Sequence, residues 1–111
     1  MARISYLELP VGDVAGAKAF YSAVFDWAFT DFGPDYASTM SGDSDLGLNG
    51  DASQATAQLL PVIAVEDLEA AQARVTAAGG TITLPTFAFP GGRRFHFRDP
   101  AGHELAAMQA D

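Results

Sequence analysis

The feature that most constrains this chain is an internal repeat. Val11-Gly12-Asp13-Val14-Ala15-Gly16-Ala17 and Val65-Glu66-Asp67-Leu68-Glu69-Ala70-Ala71 agree in pattern at an offset of 54 residues. In each copy a β-favouring stretch, Ile4 to Val11 or Leu59 to Val65, leads to an Asp, and an apolar helical period starts directly after it. Asp13 and Asp67 therefore stand where a carboxylate accepts hydrogen bonds from the free amides of a helix's first turn. The first helix carries Val14, Ala17, Phe20, Tyr21, Val24 and Phe25 at steps of three and four, and the second carries Leu68, Ala71, Val75 and Ala78. Each is expected to bury one stripe. Gly79-Gly80 stops the second helix, and Asp26-Trp27 closes the first.

Strand-like stretches follow each helix: Tyr36 to Met40 and Leu46 to Asn49 in the first copy, then Thr81 to Leu84, Arg94 to Arg98 and His103 to Met108 in the second. Gly33-Pro34-Asp35, Ser41-Gly42-Asp43, Pro90-Gly91-Gly92 and Asp99-Pro100-Ala101-Gly102 supply turns. The unit reads βαβββ. The 111 residues are thus expected to form one domain, 1–111, of two modules spanning about 1–52 and about 57–111, joined by the Ser, Ala, Gln and Thr stretch from Asp51 to Gln58.

Charge narrows the partners. A formal charge of −8 with one lysine, Lys18, argues against nucleic acid or an anionic membrane surface as the normal partner. The absence of cysteine excludes disulfides, thiolate catalysis and cysteine metal sites. Met1-Ala2-Arg3-Ile4-Ser5-Tyr6 does not read as a signal peptide, and no apolar run approaches the ~20 residues of a membrane span. A cytoplasmic protein with a small organic ligand is the expectation, and the acidic charge suits a cationic or neutral ligand better. Glycine-rich phosphate loops, a Gly-x-Ser-x-Gly elbow and a helical His-Glu-x-x-His are all missing, which removes nucleotide and hydrolase readings.

Leu9-Pro10-Val11-Gly12-Asp13, followed by Ala19-Phe20-Tyr21-Ser22-Ala23-Val24-Phe25-Asp26-Trp27, resembles the opening of the glyoxalase, bleomycin resistance and extradiol dioxygenase superfamily, the vicinal oxygen chelate proteins. Phe95-His96-Phe97-Arg98-Asp99-Pro100-Ala101-Gly102-His103-Glu104-Leu105 resembles that superfamily's final hairpin. The resemblance implies an α+β fold of two tandem βαβββ modules, with curved mixed sheets forming a ligand-binding cup and helices outside. For a chain of only two modules it also implies a homodimer.

In many members the cup holds a divalent metal on His and Glu side chains. Carried over by register, the ligand positions are Tyr6 (five before Val11), a position near Gly47, Leu60 (five before Val65) and Ala106 (seven after Asp99). None is a usual divalent-metal ligand, and Leu and Ala have no donor atom. The expectation is therefore no metal and no cofactor. Without a Lewis acid an enediolate loses its main stabiliser, which weakens a lactoylglutathione-lyase-like or dioxygenase reading. Two others stand beside it: a metal-independent small-molecule protein, and a non-catalytic drug-sequestering protein of the bleomycin resistance type.

Residues two apart on a strand share a face. With the metal-site equivalents taken as inward, the first strand offers Tyr6 and Glu8, the fifth Leu60 and Val62, and the last Glu104, Ala106 and Met108. Leu7, Leu9, Ile63, Val65 and Leu105 then face the helices. In the seventh strand Phe95 and Phe97 are natural core residues, which turns Arg94, His96 and Arg98 the other way. Tyr6, Glu8, Leu60, Arg94, Glu104 and Ala106 are thus candidate ligand-binding residues, and His96 the candidate catalytic residue. Arg94 would bind a carboxylate or phosphate; His96, with arginines two residues away on both sides, would stay neutral and act as a base.

A plainer reading uses the same residues: Arg94 and Arg98 only pair with the acidic surplus, and His96 is a satisfied surface or interface histidine. An acidic groove centred on Glu8 and Glu104 would suit sequestration of a cation, and one dominated by Arg94 and His96 would not. Trp27, Phe29, Phe32 and Tyr36 are expected in core or dimer packing. Phe87 and Phe89 are expected in a long connection before the seventh strand; core or dimer packing is the ordinary role of such aromatics, and the alternative is that a minority wall a flat organic ligand with Pro90-Gly91-Gly92 as a lid over it. His103, in a tight turn, has no assigned role.

Overall fold

The computed structural model describes residues 2–111. The first copy of the repeat forms β1 (Arg3–Pro10), α1 (Val14–Phe25), β2 (Thr30–Asp31), β3 (Tyr36–Ser38) and β4 (Asp45–Asn49), and a 3₁₀ turn, Ala52–Gln54, follows it. The second forms β5 (Leu60–Ala64), α2 (Leu68–Ala77), β6 (Thr81–Phe89), β7 (Gly92–Arg98) and β8 (Glu104–Ala110). Both modules are βαβββ. The chain divides into two compact units, one of Tyr6–Leu59 and one of Leu60–Asp111 with residues 2–5.

In the second unit the strand order is β5-β8-β7-β6, with β5 and β8 parallel and the other pairs antiparallel. α2 starts because Asp67 accepts a hydrogen bond from the Ala70 amide at 3.0 Å, and it is pinned at that end by the Leu68 amide donating to Gln109 Oε1 at 2.9 Å. Of its predicted stripe Leu68, Ala71 and Val75 meet the sheet, and Ala78 is instead the exposed C-cap. Leu68, Phe95 and Ala107 form a buried cluster, with Val65, Ala71, Val75, Ile82 and Phe97 packed against it. Because Phe95 and Phe97 point at the helix, Arg94 and His96 point to the opposite face of β7.

One boundary differs from the sequence reading. Thr81 to Leu84 does not end the sixth strand, which runs on to Phe89 and takes Phe87 and Phe89 with it. The ladder to β7 pairs Leu84 with His96 and Phe87 with Arg94 and skips Pro85 and Thr86. A strand tolerates proline at a sheet edge and at a bulge, and Pro85 has both. Pro90-Gly91 is consequently a two-residue hairpin turn rather than a lid, with Gly91 at φ 115°, where an L side chain is strained.

In the first unit the order is β2-β3-β4-β1, with β1 and β4 parallel. Asp13 caps α1 through the Gly16 amide at 3.1 Å, and Asp26 closes it in the left-handed conformation at φ 59°. The expected buried stripe is absent: no residue of α1 is buried, and only Val14, Ala17 and Tyr21 of the predicted set are half-covered. Leu7, expected against the helix, is 40% exposed. The reason is sheet area. Strands of 2, 3 and 5 residues stand where the second unit has 9, 7 and 7, too little surface to cover a 12-residue helix. Among the described residues no helix is long and apolar enough to cross a membrane.

Candidate functional site

The face of β7 opposite α2 carries the densest chemistry in the second unit. Arg94 and His96 are each only 1% exposed. The strand extension described above places two rings on Arg94: its guanidinium lies 5.3 Å from the Phe87 ring centre and 5.4 Å from that of Phe89. Both distances suit cation–π attraction. The Phe87 ring also lies 5.8 Å from the His96 imidazole.

Across β8, Met108 pairs with Arg94 and Ala106 with His96. Ala106 is fully buried, and a methyl group at that position leaves volume for the imidazole. Two residues before it on the same face, Glu104 places Oε2 3.8 Å from His96 Nδ1. At that separation the two attract electrostatically but do not hydrogen-bond. Thr83 donates to the same Glu104 oxygen at 2.6 Å and fixes the carboxylate beside the ring. Glu104 keeps 22% of its side chain exposed.

Leu60, 1% exposed, and Val62, fully buried, complete the apolar part, with Val62 paired to Ala106. Of the sequence candidates, Leu60, Arg94, His96, Glu104 and Ala106 thus fall in this unit. Thr83 was missed, and Phe87 and Phe89, expected in a connection, reach Arg94 as part of β6. His96 is not a surface histidine.

Tyr6 and Glu8 belong to the first unit, where Tyr6 is half-buried and Glu8 is 3% exposed. Glu8 sits in a polar network. Its Oε2 accepts from the Tyr36 hydroxyl at 2.8 Å and its Oε1 from Asn49 Nδ2 at 3.0 Å, and Asn49 Nδ2 also donates to Gln54 Oε1 at 3.0 Å. Gly47 lies opposite Glu8 on β4, and a β-carbon there would collide with the Tyr36 hydroxyl. A glycine inside a strand is the sequence sign of such a close approach.

The metal positions can be judged residue by residue. Leu60 and Ala106 are buried without a donor atom, and Gly47 has the Tyr36 phenol over its α-carbon. Among the described residues no group of three or more His, Cys, Asp and Glu converges. These residues do not fit the divalent ion held by many vicinal oxygen chelate proteins.

Comparison with known proteins gives the relationships. "Putative glyoxylase CFP32" of Mycobacterium bovis is 29% identical over 96% of this chain, and the chain spans 45% of that relative's length. A superfamily member from Vibrio splendidus has TM-score 0.68 at 21% identity, with all of both chains covered. Methylmalonyl-CoA epimerase from Mycobacterium tuberculosis has TM-score 0.74 at 14% identity, covering 96% of this chain and 87% of the epimerase, a likeness of fold alone. The model of the Glyoxalase/Bleomycin resistance protein/Dioxygenase superfamily matches residues 3–107. With both βαβββ modules and this near-complete match, the chain belongs to the glyoxalase/bleomycin resistance protein/dioxygenase superfamily.

Proposed function

We propose that this protein binds a small organic anion on the β7–β8 face without a metal, as a homodimer, with Arg94 holding the ligand's carboxylate or phosphate and His96 positioned as the proton acceptor. The observation that carries this reading is the burial of a guanidinium between Phe87 and Phe89 next to a buried imidazole. Burying a guanidinium costs solvation, and the same dryness strengthens a charge-assisted, bidentate bond to a carboxylate or phosphate. Thr83 holds the Glu104 carboxylate beside the imidazole, where it stabilises a positive charge gained by His96 on accepting a proton.

Sequestration of a cationic drug is less well supported. It requires an acidic groove, and both Glu8 oxygens already accept hydrogen bonds from Tyr36 and Asn49. The metal-dependent lyase or dioxygenase reading lacks donor atoms at Leu60 and Ala106.

The test is metal analysis of protein purified without chelator, combined with thermal unfolding against benzoate, pyruvate and phenyl phosphate. Metal-free protein whose melting temperature rises with at least one anion, and not in Arg94→Gln, is the expected result. About one tightly bound divalent ion per chain would overturn the metal-independent reading.

A further inference from the structure

The two helices of the repeat have diverged in a way that their shared position does not explain. α2 buries Leu68 and half-buries Ala71 and Val75 against the sheet, and leaves Glu69 and Arg74 exposed on its outer side. α1 is apolar on nearly all sides, with Lys18 as its only charged residue, and still buries none of its side chains. Phe20 is 59% exposed, Val24 53%, Phe25 55% and the adjoining Trp27 41%. The rings form a continuous ladder. Phe20 meets Tyr21 edge-on at 5.2 Å, Tyr21 stacks on Trp27 at 6.1 Å, and Trp27 stacks on Phe25 at 5.0 Å.

From this we infer that the outer face of α1, centred on Phe20, Phe25 and Trp27, is the surface on which a second copy of this chain docks. The inference rests on the homodimer reading above and assigns it a face. Two quantities single out a second copy as the occupant. The first is charge: the chain carries −8, so two copies repel over most of their surfaces, but none of its 14 acidic residues lies within α1, and Lys18 is paired with Asp31 at 2.6 Å. The carboxylates adjoining this face are Asp26, between Phe25 and Trp27, and Asp31, paired with Lys18, so a two-fold contact there brings few like charges together.

The second quantity is area. With whole aromatic side chains offering ~150–250 Å² each, the four exposed side chains leave roughly 400 Å² of apolar surface open. A standard interface takes ~800 Å² per partner, somewhat over half of it apolar, so the ladder supplies most of the apolar part needed. A self-complementary patch about a two-fold axis is the commonest way to close such a contact.

Trp27 is the only tryptophan, so its emission reports this face directly. The experiment is sedimentation equilibrium of the full chain together with Trp27 emission over the same concentration range. The expected result is a monomer–dimer equilibrium in which the emission shifts to the blue along the same isotherm as the mass. Phe25→Asp and, separately, Val24→Lys, each with an unchanged circular dichroism spectrum, should raise the dimer dissociation constant at least ~30-fold.

A dimer whose Trp27 emission is independent of concentration, and which survives both substitutions, would overturn the inference and leave the homodimer reading standing on another face. A chain that stays monomeric into the high micromolar range would overturn both. A blue shift produced by phosphatidylcholine vesicles and not by protein concentration would assign the ladder to lipid and likewise overturn the inference. The wild-type isotherm decides the matter even if a variant fails to fold.

Discussion

Tyr36 donates its phenolic hydrogen to Glu8 Oε2 at 2.8 Å, through space that exists because residue 47 is glycine. Twenty-eight residues separate the pair in sequence, and the contact joins β3 to β1 across the β4 strand that holds Gly47. Tyr36→Phe removes one donor from a carboxylate that is 3% exposed, which should cost about 1–3 kcal/mol in urea unfolding. Gly47→Ala should cost a similar amount by displacing the phenol. Because both act on one contact, the double substitution should cost clearly less than the sum of the singles. Additive costs would show that Gly47 and Tyr36 act separately.

The uneven burial of the two helices has a direct signature. Leu68→Ala empties a site that is 1% exposed and should destabilise by roughly 2–5 kcal/mol. Val24→Ala, at a site 53% exposed, should change monomer stability by no more than about 0.5 kcal/mol at concentrations where the chain is monomeric. Comparable losses at both sites, measured by denaturant titration, would restore the buried stripe on α1.

Asp45 links stability to pH. Its partial burial opposes ionisation, but hydrogen bonds from the Ser41 backbone and hydroxyl, from Thr39 and from the Gly42 amide outweigh that and hold its carboxyl below its ordinary value of 3.8. A depressed folded pKa means that the unfolded chain takes up the proton first. The contribution is therefore complete above the unfolded value and is lost as pH falls below about 4 through the folded value. Asp45→Asn should lose stability at neutral pH and flatten the acid limb of the curve; an acid limb identical to wild type would show that this carboxylate does not contribute to it.

Much of the scaffold was legible because the signals were local. Asp13 and Asp67 cap helices, and Phe95 and Phe97 set the face of β7 that Arg94 and His96 must take, by alternation alone. What was not legible depended on tertiary context. Pro85 read as the end of a strand, but it lies at a sheet edge beside a register shift, so the strand continues and brings Phe87 and Phe89 to Arg94. The two-residue β2, Thr30–Asp31, is too short to show a period. α1 has an apolar pattern that suggests burial, yet the amount buried depends on the length of β2 to β4. The network of Glu8, Tyr36 and Asn49 was announced only by a glycine inside a strand.

Arg94 and lysine are not equivalent at this site. Arg94→Lys keeps the charge and loses both the planar fork and the stacking on Phe87 and Phe89. Calorimetric titration with the anion that raises the melting temperature should show affinity at least ~10-fold weaker in Arg94→Lys, about one pair of charge-assisted bonds. Equal affinity would mean that the guanidinium serves only as a point charge.

The central claim is that a buried Arg94 and His96 receive an organic anion without a metal, and the most direct measurement is the NMR signal of the His96 ring in chelator-treated protein. Its resonances should move saturably with benzoate, pyruvate or phenyl phosphate, and the movement should vanish in Arg94→Gln. A His96 signal unmoved at millimolar concentrations of all three, or moved only after Zn²⁺ or Ni²⁺ is added, would contradict the account.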